Sequence, residues 1–205
     1  MKKTLTLIAA AVILVGGYYV FNPSPRITNS SPGGLNIICF GDSLTFGTGS
    51  TPGKNYPAQL SLLISKPVIN AGIPGDTTTT ALSRLGKDVL TQSPRIVIIT
   101  LGGNDLKNRA PKQTTFNNLK KIIESIQHQG ALVVVGGIDI PLWGRGFGDL
   151  YKKVCSETGA ILIPNIFDGI MGKREFMSDP IHPNDKGYAL MAKKFQKAVK
   201  PYLSR

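Results

Sequence analysis

Four segments of the chain carry residue types that could act together: a hydroxyl to be activated, a base with a partner to orient it, and hydrogen-bond donors for a developing negative charge. The chain holds a candidate for each part. Gly41-Asp42-Ser43-Leu44 follows an apolar run. A Ser on a tight strand-to-helix turn exposes its hydroxyl, and nearby helix amides favour negative charge there. Taken alone, Ser43 reads more simply as a helix N-cap. In Asn70-Ala71-Gly72-Ile73-Pro74-Gly75-Asp76-Thr77, Gly75 offers a backbone N–H that a ligand oxygen can approach with no side chain in the way. Taken alone, it is a turn glycine before an Asp/Thr cap. Gly102-Gly103-Asn104-Asp105 puts a carboxamide donor at the end of another run, or simply a capped turn. Asp179 stands three residues before His182 in a segment stiffened by Pro180 and Pro183. That spacing lets the carboxylate meet the imidazole within one turn, fixing its tautomer and stabilising the imidazolium. A lone His is commonly structural or superficial. His128, between Gln127 and Gln129 near a helix C-terminus, is read that way.

These groups can cooperate only if the fold brings their segments to one edge. From Leu35 onward, apolar β-like runs alternate with amphipathic helical ones. Strands are expected at Leu35–Phe40, Pro67–Asn70, Arg95–Leu101, Ala131–Val135 and Ile161–Ile163. Helices are expected at Tyr56–Ile64, Thr77–Leu90, Thr115–Gln129, Leu150–Thr158 and Asn184–Tyr202. The near-continuous apolar run at Arg95–Leu101 marks a strand covered on both faces. Alternation of this kind implies an α/β fold, a three-layer α/β/α sandwich around a five-stranded parallel sheet. Ligands of such sheets bind beyond the C-terminal strand ends, and every candidate group follows an expected strand.

With 205 residues, 41% hydrophobic and 18% charged, the chain suits one globular domain plus a short extra segment. The composition excludes disorder and collagen-like repeats. Cys39 and Cys155 are too few for a disulfide scaffold and read as buried free thiols. Two His residues leave no material for a His-rich cage, so no metal or cofactor is expected and activity should resist EDTA. Lys and Arg total 24 against 12 Asp and Glu, a formal charge of +12. The cations are scattered, singly or in pairs such as Lys120-Lys121 and Lys193-Lys194. No basic run suits nucleic acid, which is not expected as a partner. A basic face attracting anionic membranes or acidic substrates fits better, with mere solvation as the default.

Lys2-Lys3 precede an uncharged apolar run, Leu5–Phe21, that Asn22-Pro23-Ser24-Pro25 ends. Residues 1–25 are therefore read as a signal peptide or N-terminal membrane anchor, 26–34 as a linker and 35–205 as the main domain. The run's 17 residues reach the low end of the ~17–25 that span a bilayer as a helix. Val15-Gly16-Gly17 offers a small-residue cleavage site, and no Cys directly follows the run for lipoprotein processing. Lys2 and Lys3 on the cytoplasmic side place the chain beyond Phe21 outside. The expectation is an exported protein, periplasmic or anchored to the inner membrane facing the periplasm.

Four ordered blocks, Phe40–Leu44, Asn70–Thr77, Leu101–Asp105 and Asp179–Asn184, together resemble the GDSL/SGNH hydrolase family. The likeness covers Leu35 to Tyr202 and is greatest to its bacterial thioesterase I/lysophospholipase L1 (arylesterase) branch. The resemblance implies that family's flavodoxin-like sheet, with Ser43 as nucleophile, His182 as general base and then acid, and Asp179 as its orienting partner. It implies an oxyanion hole of the Ser43 N–H, the Gly75 N–H and the Asn104 side chain. The implied reaction is hydrolysis of carboxylic esters or thioesters: aryl esters, acyl thioesters or lysophospholipids. Asp105–Pro111 departs from the pattern, a residue shorter and without glycines where the family borders its acyl pocket. Ile138–Phe147, with Trp143, could line the same pocket.

Other readings remain at this point. The same site would serve acyl transfer to an alcohol or deacetylation of a cell-envelope carbohydrate. A non-catalytic tethered binding module would have no use for a complete Ser43/Asp179/His182 set. Gly47–Asn55 is loosely phosphate-like, but Asn55 stands where a P-loop needs Ser or Thr, and Pro52 breaks G-x-G-x-x-G.

Overall fold

The computed structural model describes residues 26–139 and 147–204. Five parallel strands form one sheet: β1 (Asn36–Gly41), β2 (Val68–Gly72), β3 (Pro94–Thr100), β4 (Leu132–Gly136) and β5 (Ile161–Ile163). Their order is β2-β1-β3-β4-β5. Between them run α1 (Ser43–Phe46), α2 (Tyr56–Ile64), α3 (Thr78–Asp88), α4 (Gly103–Lys107), α5 (Lys112–His128), α6 (Phe147–Thr158) and α7 (Asp185–Val199). α2 packs against α7, while α5 packs against both α3 and α6, so helices cover the two faces of the sheet.

The sequence pattern explains the layers. Ile96–Ile99 and Leu132–Val135 are wholly buried, as strands sandwiched between helices require. Leu119, Ile122, Ile123 and Ile126 make the buried stripe of α5, each contributing roughly 1.5–3 kcal/mol by its removal from water. The chain leaves β1 for β2 on one side, then returns to β3 on the other. The C-terminal ends of β1 and β3 therefore flank a switch point, where open α/β sheets present a crevice.

Most elements fall within a few residues of expectation, and the differences have local causes. β2 runs on to Gly72 because it stays in register with β1 as far as Gly41. α5 begins at Lys112, directly after Pro111. α1 and α4 lie outside the expected helices, being one turn each and too short for a periodic pattern. Residues 26–34, read as a linker, lie against the domain. Thr28 Oγ1 donates to Thr158 O (2.8 Å), and Asn29 Nδ2 donates to Gln127 O (2.8 Å) and Ala131 O (2.9 Å). The segment thus satisfies carbonyls around the C-terminal ends of α5 and α6 that the helices leave open.

Cys39 and Cys155 are both buried and unpaired, and burial pushes the Cys155 thiol up to about 12. His128 is exposed in the last turn of α5, at the opposite end of the sheet from Ser43. Among the described residues no helix is long and apolar enough to cross a membrane. The N-terminal apolar run and Trp143 lie outside the described residues.

Candidate active site

The turn after β1 sets the serine. Asp42 is the N-cap of α1, its Oδ1 accepting from the Leu44 amide at 3.0 Å. The capping role thus falls to Asp42, and the Ser43 hydroxyl is free to face outward. It meets an imidazole: Ser43 Oγ lies 3.1 Å from His182 Nε2. The other ring nitrogen, Nδ1, lies 2.7 Å from Asp179 Oδ2. Asp179 Oδ1 accepts the Ile181 and His182 amides, both at 2.8 Å, so one carboxylate ties down both the loop backbone and the ring. Asn184 closes the segment by capping α7, accepting from Lys186 and Gly187. Partial desolvation opposes ionisation of Asp179, but the ring and the two amides outweigh it and hold its carboxyl below the usual range.

The second and third blocks arrive beside this pair. Gly72 passes so close to the backbone of α1 that any side chain there would strike Thr45 and Phe46. Gly75 instead has open space around it and a φ of +86°, the left-handed region that suits glycine. The two glycines of the block therefore do different things: one permits packing and the other shapes a turn. Among the described residues, the amides of Ser43 and Gly75 have no acceptor. Asn104, in the first turn of α4, does not cap its helix. Its Nδ2 donates to Asp76 O at 2.9 Å and makes a long 3.4 Å contact to Asp42 Oδ2. Ser43, His182 and Asn104 line one cleft of about 630 Å³.

Residues 39–190 match the GDSL-like Lipase/Acylhydrolase family. The chain belongs to that family. Among curated relatives it is 30% identical to the thioesterase 1/protease 1/lysophospholipase L1 of Escherichia coli K12, over 82% of this chain and 85% of that one. It is 29% identical to an arylesterase of Vibrio mimicus, over 81% of this chain and 88% of the relative. The solved structure of TesA superposes with a TM-score of 0.78 at 26% identity, covering 82% of this chain and all of that one. The esterase EstA of a Pseudoalteromonas species, solved with monoethylphosphonate as inhibitor, gives a TM-score of 0.75 at 26% identity, over 83% and 99% of the two chains. This chain is thus a hydrolase acting on ester bonds, a GDSL-family enzyme of the esterase, thioesterase and lysophospholipase kind.

The walls of this GDSL hydrolase's cleft are mainly apolar, with Leu44, Leu106, Ile138, Phe147, Phe167 and Met171 among them. Ile138 and Phe147, singled out from the loop after β4, do reach it. So do Lys107, Arg109 and Ala110 of the glycine-free segment after Asn104.

Three residues that sequence reasoning did not single out organise the site. Asp105 is buried and accepts from the Thr78 amide (2.8 Å) and hydroxyl, tying α4 to the start of α3. Arg84, on α3, spends its whole guanidinium: Nε on Asp76 (2.6 Å), Nη1 on Asp88 (2.9 Å), and Nη2 on the carbonyls of Gly41 (2.9 Å) and Ala71 (3.0 Å). It therefore clamps the ends of β1 and β2 and the residue after Gly75. Its only sequence signal was a cation on the inner side of an amphipathic helix.

The third is Asp42. Burial pushes its carboxyl up to about 7, and the neighbouring charges of Asp76 and Asp105 add to the rise. The folded state therefore binds a proton that the unfolded chain has lost, and Asp42 costs stability as pH rises from about 4 to about 7. Asp42→Asn keeps the Leu44 cap and removes this cost, worth up to about 4 kcal/mol. The variant should gain Tm over the native protein progressively across that range. A difference independent of pH would show that Asp42 is ionised throughout.

Proposed function

We propose that this chain is a serine hydrolase of acyl esters and thioesters, with Ser43 as nucleophile, His182 as base and Asp179 as its partner. The observation that carries the reading is the relay of contacts from Ser43 Oγ to His182 Nε2 (3.1 Å) and from Nδ1 to Asp179 (2.7 Å) beside an apolar cleft. With Nδ1–H donating to Asp179, Nε2 is left as acceptor of the Ser43 proton. As Oγ bonds to the carbonyl carbon, the proton passes to Nε2 and the carbonyl oxygen becomes an oxyanion. The Ser43 and Gly75 amides, which have no acceptor among the described residues, and Asn104 Nδ2 would hold it, the last by exchanging its long contact with Asp42. Nε2–H then protonates the leaving alcohol or thiol. Water, deprotonated by the same nitrogen, attacks the acyl-enzyme and releases the acid.

An apolar lining favours an acyl chain over the acetyl group of a carbohydrate, so aryl esters, acyl thioesters and lysophospholipids are the substrate classes proposed. A p-nitrophenyl series from acetyl to palmitoyl, with acyl-CoA alongside, tests this. Preference for acetyl, or product captured by an alcohol in competition with water, would favour deacetylation or transfer instead. We further propose that the enzyme works outside the cytoplasmic membrane, on the strength of Lys2-Lys3 and the apolar run after them. An alkaline phosphatase fused after Arg205 would be inactive if that is wrong.

Arg84 supplies a positioning prediction. Lysine cannot reproduce four contacts from a planar fork, so Arg84→Lys should lower kcat about tenfold while KM stays within about twofold. Equal loss of both fluorophosphonate labelling and Tm would mark a role in folding alone.

A further inference from the structure

Lys107 and Arg109 line the cleft on the same segment as Asn104, within five residues of it. We infer that they form an anion-binding edge, and that the preferred substrates are esters carrying a fixed negative charge a short distance from the scissile carbonyl. This rests on the hydrolase reading above and adds the substrate's charge to it.

Neither side chain is committed to a carboxylate. Arg84 pairs with two, and Lys120 and Lys152 with one each, whereas Lys107 and Arg109 have no carboxylate partner among the described residues. The cleft itself offers them little competition. Among the described residues its one acidic lining group is Asp42, which is buried and whose desolvation favours the neutral form. Asp179, just behind His182, has both oxygens occupied by the ring and the two amides. A further cation, Lys112, lines the same wall.

The loop is built rather than loose. Asn108 N donates to Asn104 O (2.9 Å), Arg109 N to Leu106 O (3.1 Å) and Ala110 N to Asp105 O (2.9 Å). Arg109 is held at a φ of +55°, a conformation that glycine would adopt more readily. The backbone thus keeps an arginine at a place where a turn alone would be better served by glycine.

A substrate can carry the anion on its acyl chain or on its leaving group. Two pairs of chromogenic esters separate these sources. Mono-4-nitrophenyl adipate against 4-nitrophenyl hexanoate places the charge on the acyl side. 3-Carboxy-4-nitrophenyl butyrate against 4-nitrophenyl butyrate places it on the leaving group. The measure is the ratio of kcat/KM within a pair, so losses common to both esters cancel.

A cation about 8 Å from the anion, at an effective dielectric constant of about 40, contributes roughly fivefold. Lys107→Gln/Arg109→Gln should therefore lower the ratio about 25-fold in at least one pair, and either single substitution about fivefold. Raising NaCl from about 20 mM to about 500 mM should lower the native ratio severalfold, a test that needs no variant. Fluorophosphonate labelling of Ser43 checks that the double variant keeps its site. Ratios unchanged within about twofold in both pairs, by substitution and by salt, overturn the inference while leaving the hydrolase reading intact. Absence of Ser43-dependent turnover of the neutral esters sinks both.

Discussion

Ser43→Ala is expected to lower turnover of 4-nitrophenyl esters by about 10⁴-fold or more, and to leave Tm within about 2 °C of the native value. The two halves of this expectation have separate causes. Loss of the hydroxyl removes the atom that bonds to carbon, for which no neighbouring group can substitute. Stability is spared because the cap of α1 belongs to Asp42 and the side-chain partner of Ser43 is His182. A Ser→Ala change at a true N-cap would cost about 1 kcal/mol. Labelling by a fluorophosphonate should vanish in parallel. The pair should also behave as a unit: Ser43→Ala/His182→Ala should be no slower than Ser43→Ala. Ester turnover that survives Ser43→Ala at more than about 1% would discard the assignment.

Asn104→Ala should lower kcat by about 10²–10³ with KM within about threefold, because an oxyanion donor bonds most strongly when the charge has formed. The carboxamide is already fixed by its bond to Asp76 O at 2.9 Å, so little reorganisation accompanies the reaction. The substitution also leaves that carbonyl without its donor, costing about 1 kcal/mol and a few degrees of Tm. Kinetics and stability must therefore be read together. A rise in KM at constant kcat would make Asn104 a substrate-binding residue. A fall in Tm with kcat preserved would make it purely structural.

How much is legible in the chain differs from residue to residue. The strand ends are legible because buried parallel strands are continuous apolar runs, and the first three candidate blocks begin where such a run stops, while the fourth lies farther beyond the last one. Asp179 and His182 are legible as a pair because three residues stiffened by proline leave the chain few ways to separate them. Arg84 is not, since its four partners lie on other segments or other turns, the farthest 43 positions away. Nor is the docking of residues 26–34, whose polar composition resembles a linker until the helix ends that need its hydrogen bonds are in place.

The sequence by itself determined the layered α/β architecture, the chemical types at the site and the order in which they are delivered, because hydrophobic periodicity and turn residues act over short stretches of chain. Only the tertiary structure decided which alternative each residue takes up: that Asp42 caps while Ser43 faces the ring, that Gly72 packs while Gly75 turns, and that Lys107 and Arg109 line the cleft with no carboxylate partner among the described residues. Those choices depend on distances between segments far apart along the chain, and such distances exist only once the core has closed.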